Sequence, residues 1–405
     1  MTIFVIAVFP PFKAPEADHA YHLCRNLADA GMNVSVVTQH DGSVLDHINT
    51  TVYPIMREWS WREMPRLARL LKRVKPDAIL LYFIGYIYKH HPMITFAPTL
   101  ARWMCPKVPF VTIISHVFGS SSADSGLPSR LLHKAIRSAL GENVDYNFGT
   151  ILRDSDKLIM LSERHIDLMS GLLPFFAEKC IIIPPPPIMT LTPESPEKAK
   201  LIGREALCVA EDEFLLAYFG YIYPPKGIET LLQAFSKVSQ ARGNIRLALI
   251  GGDQRHTIRP NYAQEMRDLT KELGLEDKVV FTGSFPWDSP QASNYLYAAD
   301  ACVLPFDEGV HLNNSSFAAA VTHGLPVITT QGSTLERPFL NRENVLLCSP
   351  SSPEALAAAI GNLMDDGVLR QRLHRGSLKL ASEWFSWKNA TRRIIAVLSP
   401  HAHSL

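Results

Sequence analysis

Short runs of apolar, often β-branched residues alternate along the chain with stretches in which apolar positions recur every three or four residues. That alternation predicts parallel sheets whose strands are joined by crossover helices. In the first half the strand candidates are 3–9, 34–38, 78–83, 110–114, 158–161 and 180–183. Between the first two, Ala20, Leu23, Cys24 and Leu27 fall at i, i+3, i+4 and i+7, one face of a helix that Gly31 closes. The run Pro184-Pro185-Pro186-Pro187 fits neither a helix interior nor a central strand and reads as a stiff extended linker. A second series of strands follows at 215–219, 247–250, 279–282, 301–304, 327–329 and 345–347, separated by helices such as 230–241 and 263–273. The expected fold class is α/β, with two Rossmann-like parallel-sheet domains facing each other across a cleft. Their expected bounds are 1–187 and 188–385, with a helix at about 386–400 packing back on the first domain.

Length agrees with this division: 405 residues exceed what one core accommodates, and domains of about 200 residues each are expected. A formal net charge of +1 excludes a general nucleic-acid binder, which needs a concentrated basic surface. The cysteines (Cys24, Cys105, Cys180, Cys208, Cys302, Cys348) are scattered singly, without the spacing of a zinc site, which predicts a reduced, cytoplasmic protein. The apolar start has no Lys or Arg before it and runs into Pro10-Pro11, as a buried strand would and a signal peptide would not. No apolar run reaches the roughly 18 residues of a membrane span, so the expectation is a soluble or at most peripheral protein.

Open α/β sheets bind ligands at the carboxyl ends of their strands, which directs attention to the loops that follow them. The first, 219–227, contains Gly220, Tyr221 and, just before a helix, Lys226-Gly227. A lysine beside a helix amino terminus offers fixed positive charge to an anion; the same residues also make an ordinary surface turn. The second loop, 305–316, contains Glu308-Gly309 and leads into a helix of small residues. Asn314 or Ser315 is a natural N-cap there, and the free amides at Ser315 and Ser316 suit phosphate oxygens. An ordinary capped helix is the alternative.

The order of these pieces resembles family-4 retaining glycosyltransferases of the GT-B fold. It runs Phe-Gly-x5-Lys-Gly-x3-Leu-Leu-x-Ala-Phe (219–235), Phe-Thr-Gly (281–283), Ala-Ala-Asp (298–300), Glu-Gly (308–309) and Gly-Leu-Pro-Val-Ile (324–328). The first half adds a Pro-rich first loop, a strand running to His116 and Asp-Lys-Leu-Ile-Met-Leu-Ser (156–162). The resemblance implies that Lys226 neutralises a donor diphosphate, His116 reaches the transferred sugar and Glu308 holds that sugar. It further implies that Gly220 and Tyr221 line the donor loop, that Ser284 and Phe285 meet the nucleotide base, and that Asn314, Ser315 and Ser316 face the phosphates. The acceptor is expected on the N-terminal domain near Pro15, Glu16, His19 and Tyr86. No metal or other cofactor is expected.

The chain departs from the family pattern in a loop between Glu308 and the following helix that is about two residues longer than usual, and at three sets of residues. Tyr221 stands where an arginine is usual, Ala319 where a second glutamate is usual, and Ala14-Pro15 where the first loop has two glycines. The implied activity is transfer of a hexosyl unit from a nucleoside diphosphate sugar to a hydroxyl of a glycan, glycolipid or small molecule, with retention. A catalytically silent relative that binds sugar nucleotides or serves as a partner subunit is the alternative. Separately, Arg62, Arg66, Arg69 and Arg73 form a stripe at helical spacing behind Trp59 and Trp61. The stripe is either a solvated helix face or a contact for anionic lipid headgroups at the inner face of the membrane.

Overall fold

The strands form where the chain is apolar toward both sides. The computed structural model describes residues 1–116, 144, 147–170, 176–253, 259–286 and 289–399. Strands β1 (Thr2–Ile6), β2 (Asn33–Gln39), β3 (Thr50–Met56), β4 (Ala78–Phe83), β5 (Phe110–Ile114), β6 (Lys157–Met160) and β7 (Cys180–Ile182) make one sheet. Its order is β3-β2-β1-β4-β5-β6-β7, and every pairing is parallel. Every side chain of β4 and β5 is buried, as expected of strands covered by helices on both faces.

Alternate residues of β1 serve opposite cores. Ile3 and Val5 pack with Ala20, Leu23, Cys24 and Leu27 of helix α1 (Pro15–Asp29). Phe4 and Ile6 pack with Leu67, Leu70 and Leu71 of α2 (Met64–Val74) and Ala97 and Ala101 of α3 (Ala97–Met104). Each leucine, isoleucine, valine or phenylalanine among them contributes about 1.5–3 kcal/mol on leaving water. Helix α4 (Glu163–Met169) follows β6, and Ser162 caps it by accepting from the His165 N–H.

The first-half strands anticipated from the sequence are present within a few residues, with two differences. The ladder of β1 ends at Ile6 rather than 9, because the Phe9 N–H donates instead to Thr38 Oγ1 and Gln39 Oε1, both at 3.1 Å. The sequence reading also omitted β3, which is only partly buried and contains Pro54. It is an edge strand, where a missing N–H is tolerated, and its pairing with β2 shifts register beside that proline. The α2 arginines serve this edge: Arg66 donates to the Ile55 carbonyl at 2.7 Å and pairs with Glu63, while Arg73 lies over the Tyr53 ring. Of the four-arginine stripe, Arg62, Arg69 and Arg73 are exposed and Arg66 is half-buried.

The second sheet repeats the topology. Strands β8 (Phe214–Phe219), β9 (Ile245–Ile250), β10 (Val279–Phe281), β11 (Ala301–Leu304), β12 (Val327–Thr330) and β13 (Leu346–Cys348) lie in the order β10-β9-β8-β11-β12-β13, all parallel. Around it are α5 (Pro196–Ala206), α6 (Ile228–Ala241), α7 (Tyr262–Glu272), α8 (Gln291–Ala298), α9 (Ser315–Thr322), α10 (Pro353–Asp365) and α11 (Gly367–Trp384). This unit comprises Pro186–Ser386. The last helix, α12 (Trp387–Leu398), belongs to the first unit, where Ala390, Ile394 and Leu398 join the core under α1. In each sheet the strand order reverses once, between β1 and β4 and between β8 and β11, the places where such sheets open a ligand crevice.

Because α12 closes one face of the first sheet, Ile394→Ala is expected to destabilise that unit by about 2–4 kcal/mol. Lys388→Ala, on the exposed face of the same helix, should stay within about 0.5 kcal/mol of the parent. Urea unfolding followed by tryptophan fluorescence checks both, and equal midpoints for the two variants would refute the packing role.

Candidate functional site

The loops after β8 and β11 meet backbone to backbone. Gly220 has φ +133°, and a side chain there would stand 2.5 Å from Ser316 Oγ. Gly227 has φ +69° and would bring a Cβ within 1.9 Å of the Pro305 carbonyl oxygen, so both its conformation and its surroundings demand glycine. The Asp307 N–H donates to the Pro225 carbonyl at 3.2 Å and fastens the two loops together. Gly227 is also the N-cap position of α6, so Lys226 ends a single 3₁₀ turn immediately before a helix.

The Lys226 ammonium lies 4.9 Å from the centre of the Phe306 ring and 5.4 Å from that of Tyr223. No carboxylate among the described residues forms an ion pair with it. Burial pushes its pKa down to about 8. The arrangement is a partly desolvated cation, held by aromatic faces, beside a helix start. It is chemically prepared for an anion.

The second half of that preparation is α9. Asn314 occupies its N-cap position, as the sequence suggested, yet the side chain does not cap the helix. Its Oδ1 instead accepts from the His311 N–H at 2.7 Å, which leaves the first-turn amides of Ser315 and Ser316 without a side-chain cap. Ser315 is exposed, and Ser316 is buried against the Gly220 loop. Two residues that the sequence reading missed hold this loop. Glu336, only 4% exposed, accepts from the Leu312 N–H, and Thr330 donates to the Phe306 carbonyl. Neither position carries a local signal, because each acts only through the tertiary fold.

The other residues expected on the donor side differ in exposure. Tyr221 is 49% exposed, and its carbonyl accepts from the buried Tyr218 hydroxyl at 2.8 Å, so the position where the family has arginine presents a phenol. Ala319 is buried within α9. Glu308 is exposed, and neighbouring Asp307 has its pKa raised by burial and then by the charges of Glu229 and Glu308. Phe285 is braced edge-on against Tyr295 at 5.7 Å, next to the exposed Ser284.

In the first unit, Tyr86 donates its hydroxyl to the Glu16 carboxylate, which joins the loop after β4 to the first turn of α1, where Pro15 is exposed. Of the aromatic stretch 82–88, Tyr82 and Tyr88 are buried and Tyr86 is the tyrosine turned outward. His19, expected beside Glu16 or at the surface, is instead buried with its ring 4.9 Å from Trp387 and 5.5 Å from Tyr82. Neither of its ring nitrogens has a hydrogen-bond partner among the described residues, and burial holds its pKa down at about 3. It is a wall residue, not a contact surface. His116 is exposed just past the end of β5. It bears on His165, whose pKa is lowered to about 4 by burial first and by the His116 charge second.

The Lys226 geometry sets a pH dependence. The folded-state pKa is depressed, so the folded protein sheds this proton more readily than the unfolded chain. The cost of keeping the ammonium desolvated is therefore fully present below pH 8 and is relieved as pH rises from about 8 toward 10.5. Stability of the parent relative to Lys226→Met should rise across that window, and binding of inorganic diphosphate should weaken across it. A flat difference in unfolding free energy between pH 7 and 10.5 would show that Lys226 is not desolvated.

The chain resembles known proteins in both sequence and fold. The family model Glycosyl transferases group 1 matches residues 213–366, and Glycosyltransferase Family 4 matches residues 17–186. A D-inositol 3-phosphate glycosyltransferase from Xylanimonas cellulosilytica is 25% identical over 303 residues, covering 73% of this chain and 66% of its own. The chain spans about half to two thirds of the length of the curated relatives it matches first. Among solved structures, a glycosyltransferase from Rickettsia africae superposes with a TM-score of 0.72 at 15% identity, over 100% of this chain and 99% of its own. HepE from Anabaena, solved with UDP and glucose, gives a TM-score of 0.68 at 17% identity over 98% of this chain and 99% of its own. With both units matched in sequence and the whole chain matched in fold, the protein belongs to the glycosyl transferases group 1, family-4 glycosyltransferases of the GT-B fold.

Proposed function

We propose that this protein transfers a hexosyl unit from a nucleoside diphosphate sugar to a hydroxyl of a glycan, glycolipid or small-molecule acceptor, with retention of configuration. One observation supports this above the others: a desolvated Lys226 without an ion-pair partner among the described residues, on the loop whose Gly220 packs against Ser316 at the uncapped start of α9. As the glycosidic bond breaks, its electron pair passes to the departing diphosphate. Lys226 and the amides at Ser315 and Ser316 are strongest against that developing charge. They supply the neutralisation in this reading, and no metal is assigned a role.

Gly220 and Tyr221 form the wall of the donor loop, and Ser284 and Phe285 receive the base. Glu308 and His116 orient the transferred sugar. Retention is carried by the likeness to retaining enzymes of the family. The acceptor rests against Pro15, Glu16 and Tyr86. Arg62, Arg69 and Arg73 of the stripe, with the exposed Trp61 at its start, are available to anionic headgroups, which would make the protein peripheral to the inner face of a membrane. No helix among the described residues is long and apolar enough to cross one. Tyr221 and Ala319 favour a second reading, a silent relative that binds sugar nucleotides without turning them over.

Screening UDP, GDP and ADP by thermal unfolding identifies the base, since a ligand at a hundred times its Kd stabilises by about 2.7 kcal/mol. With the matching sugar nucleotides, Lys226→Ala should lower transfer or slow donor hydrolysis about a hundredfold or more, and Lys226→Arg should recover part of that. Equal rates in all three proteins would remove Lys226 from the mechanism. His116→Ala should lower turnover far more than nucleotide affinity; normal turnover would make it structural. Tight nucleotide binding by a parent that turns over no donor across a broad acceptor panel would favour the silent relative.

A further inference from the structure

The carboxyl end of α9 is held by a buried polar chain that none of the chemistry above uses. His323 follows the helix with its ring Nδ1 2.8 Å from the Ala319 carbonyl and its Nε2 2.8 Å from Ser293 Oγ on α8. A carbonyl oxygen can only accept, so Nδ1 carries the ring proton and Nε2 accepts from the Ser293 hydroxyl. The Ser293 oxygen in turn accepts the Thr192 N–H at 3.1 Å, from the segment by which the chain enters this unit. Ser293 is wholly buried and His323 nearly so, and the Tyr297 ring stands edge-on to the imidazole at 4.6 Å. Each donor and acceptor in the chain is thereby matched, and burial keeps the imidazole neutral, with its pKa lowered to about 4.

A polar chain in a site with no access to water is not the most stabilising filling; well-packed apolar side chains would serve as well or better. What hydrogen bonds add is direction, because each fixes the angle as well as the separation of its partners. The direction fixed here is that of α9. The helix has eight residues, about 12 Å from end to end, and its other end bears Ser315, Ser316 and their amides. It moves as one rigid piece, so a tilt allowed at His323 displaces the amides at the far end.

We propose that Ser293 and His323 are positioning residues that set the angle of α9, and with it the aim of its amino-terminal amides at the donor phosphates. This rests on the reading of that helix start as a diphosphate site. Loss of the clamp should weaken binding of a nucleoside diphosphate without unfolding the protein, because the base pocket at Ser284 and Phe285 stands on a different loop.

The test compares the parent with Ser293→Ala, which deletes the hydroxyl, and Ser293→Cys, which keeps a donor of similar size. Calorimetric titration with UDP, GDP and ADP is run at a temperature where thermal unfolding shows all three proteins folded. The expected result is about tenfold weaker binding of the preferred nucleotide by Ser293→Ala, with much of the loss recovered in Ser293→Cys. His323→Gln provides a second variant, expected to weaken binding likewise. Parental affinity in both Ser293→Ala and His323→Gln overturns the clamp and leaves the donor site standing, provided Lys226→Ala still weakens binding. If the parent binds none of the three nucleotides, the clamp falls together with the donor site it serves.

Discussion

The carbonyl oxygen of Pro305 occupies the volume that any side chain at 227 would need. That contact decides where Lys226 stands, because the glycine cannot retreat without opening the junction between the loops after β8 and β11. It also decides what the lysine touches, since the next residue of the partner loop, Phe306, supplies the ring beneath the ammonium. The strand order makes the contact possible. β8 and β11 are neighbours where the sheet reverses, so their loops leave adjacent strand ends and pack on each other.

The electrostatics of the site follow from that packing. A lysine at the surface would lose little by remaining hydrated, but it would bring an ordered water shell to any anion. Partial burial removes that shell in advance and leaves the ammonium facing quadrupoles instead of a competing carboxylate. The unit accepts a local loss of stability in exchange for a cation that does not reorganise when charge arrives. α9 follows the same logic. Its N-cap asparagine is diverted to His311, so the helix start keeps its hydrogen-bonding capacity.

Most of the fold was legible in the sequence because buried parallel strands are apolar on both faces and stand out as runs. β4, β5 and β11 fall at the predicted residues for this reason. β3 was not legible, because an edge strand with a proline and a half-exposed face has no such run. Lys226, Gly220, Ser315 and Ser316 could be picked out because their loops follow strands directly. Phe306, Thr330 and Glu336 could not be assigned roles, since nothing near them in sequence says which loop they support. His19 misled for the converse reason: its position on α1 falls between the buried face and the open one, and Trp387, far along the chain, turns it inward. Arg66 was read with the surface stripe because the edge strand whose Ile55 carbonyl it holds had been missed.

The return of α12 to the first unit has a consequence for synthesis. Ile3 and Val5 are made before the second unit, but Ala390, Ile394 and Leu398, which close their side of the sheet, follow only after the whole of it. At ribosomal rates of about 5–20 residues per second, the roughly 200 intervening residues take on the order of 10–40 seconds. Through that interval the nascent first sheet carries α1 but lacks its last helix, with part of an apolar face open to solvent. The two units therefore mature in the reverse of their order in the chain: the second has all its residues first, and the first closes over its core last.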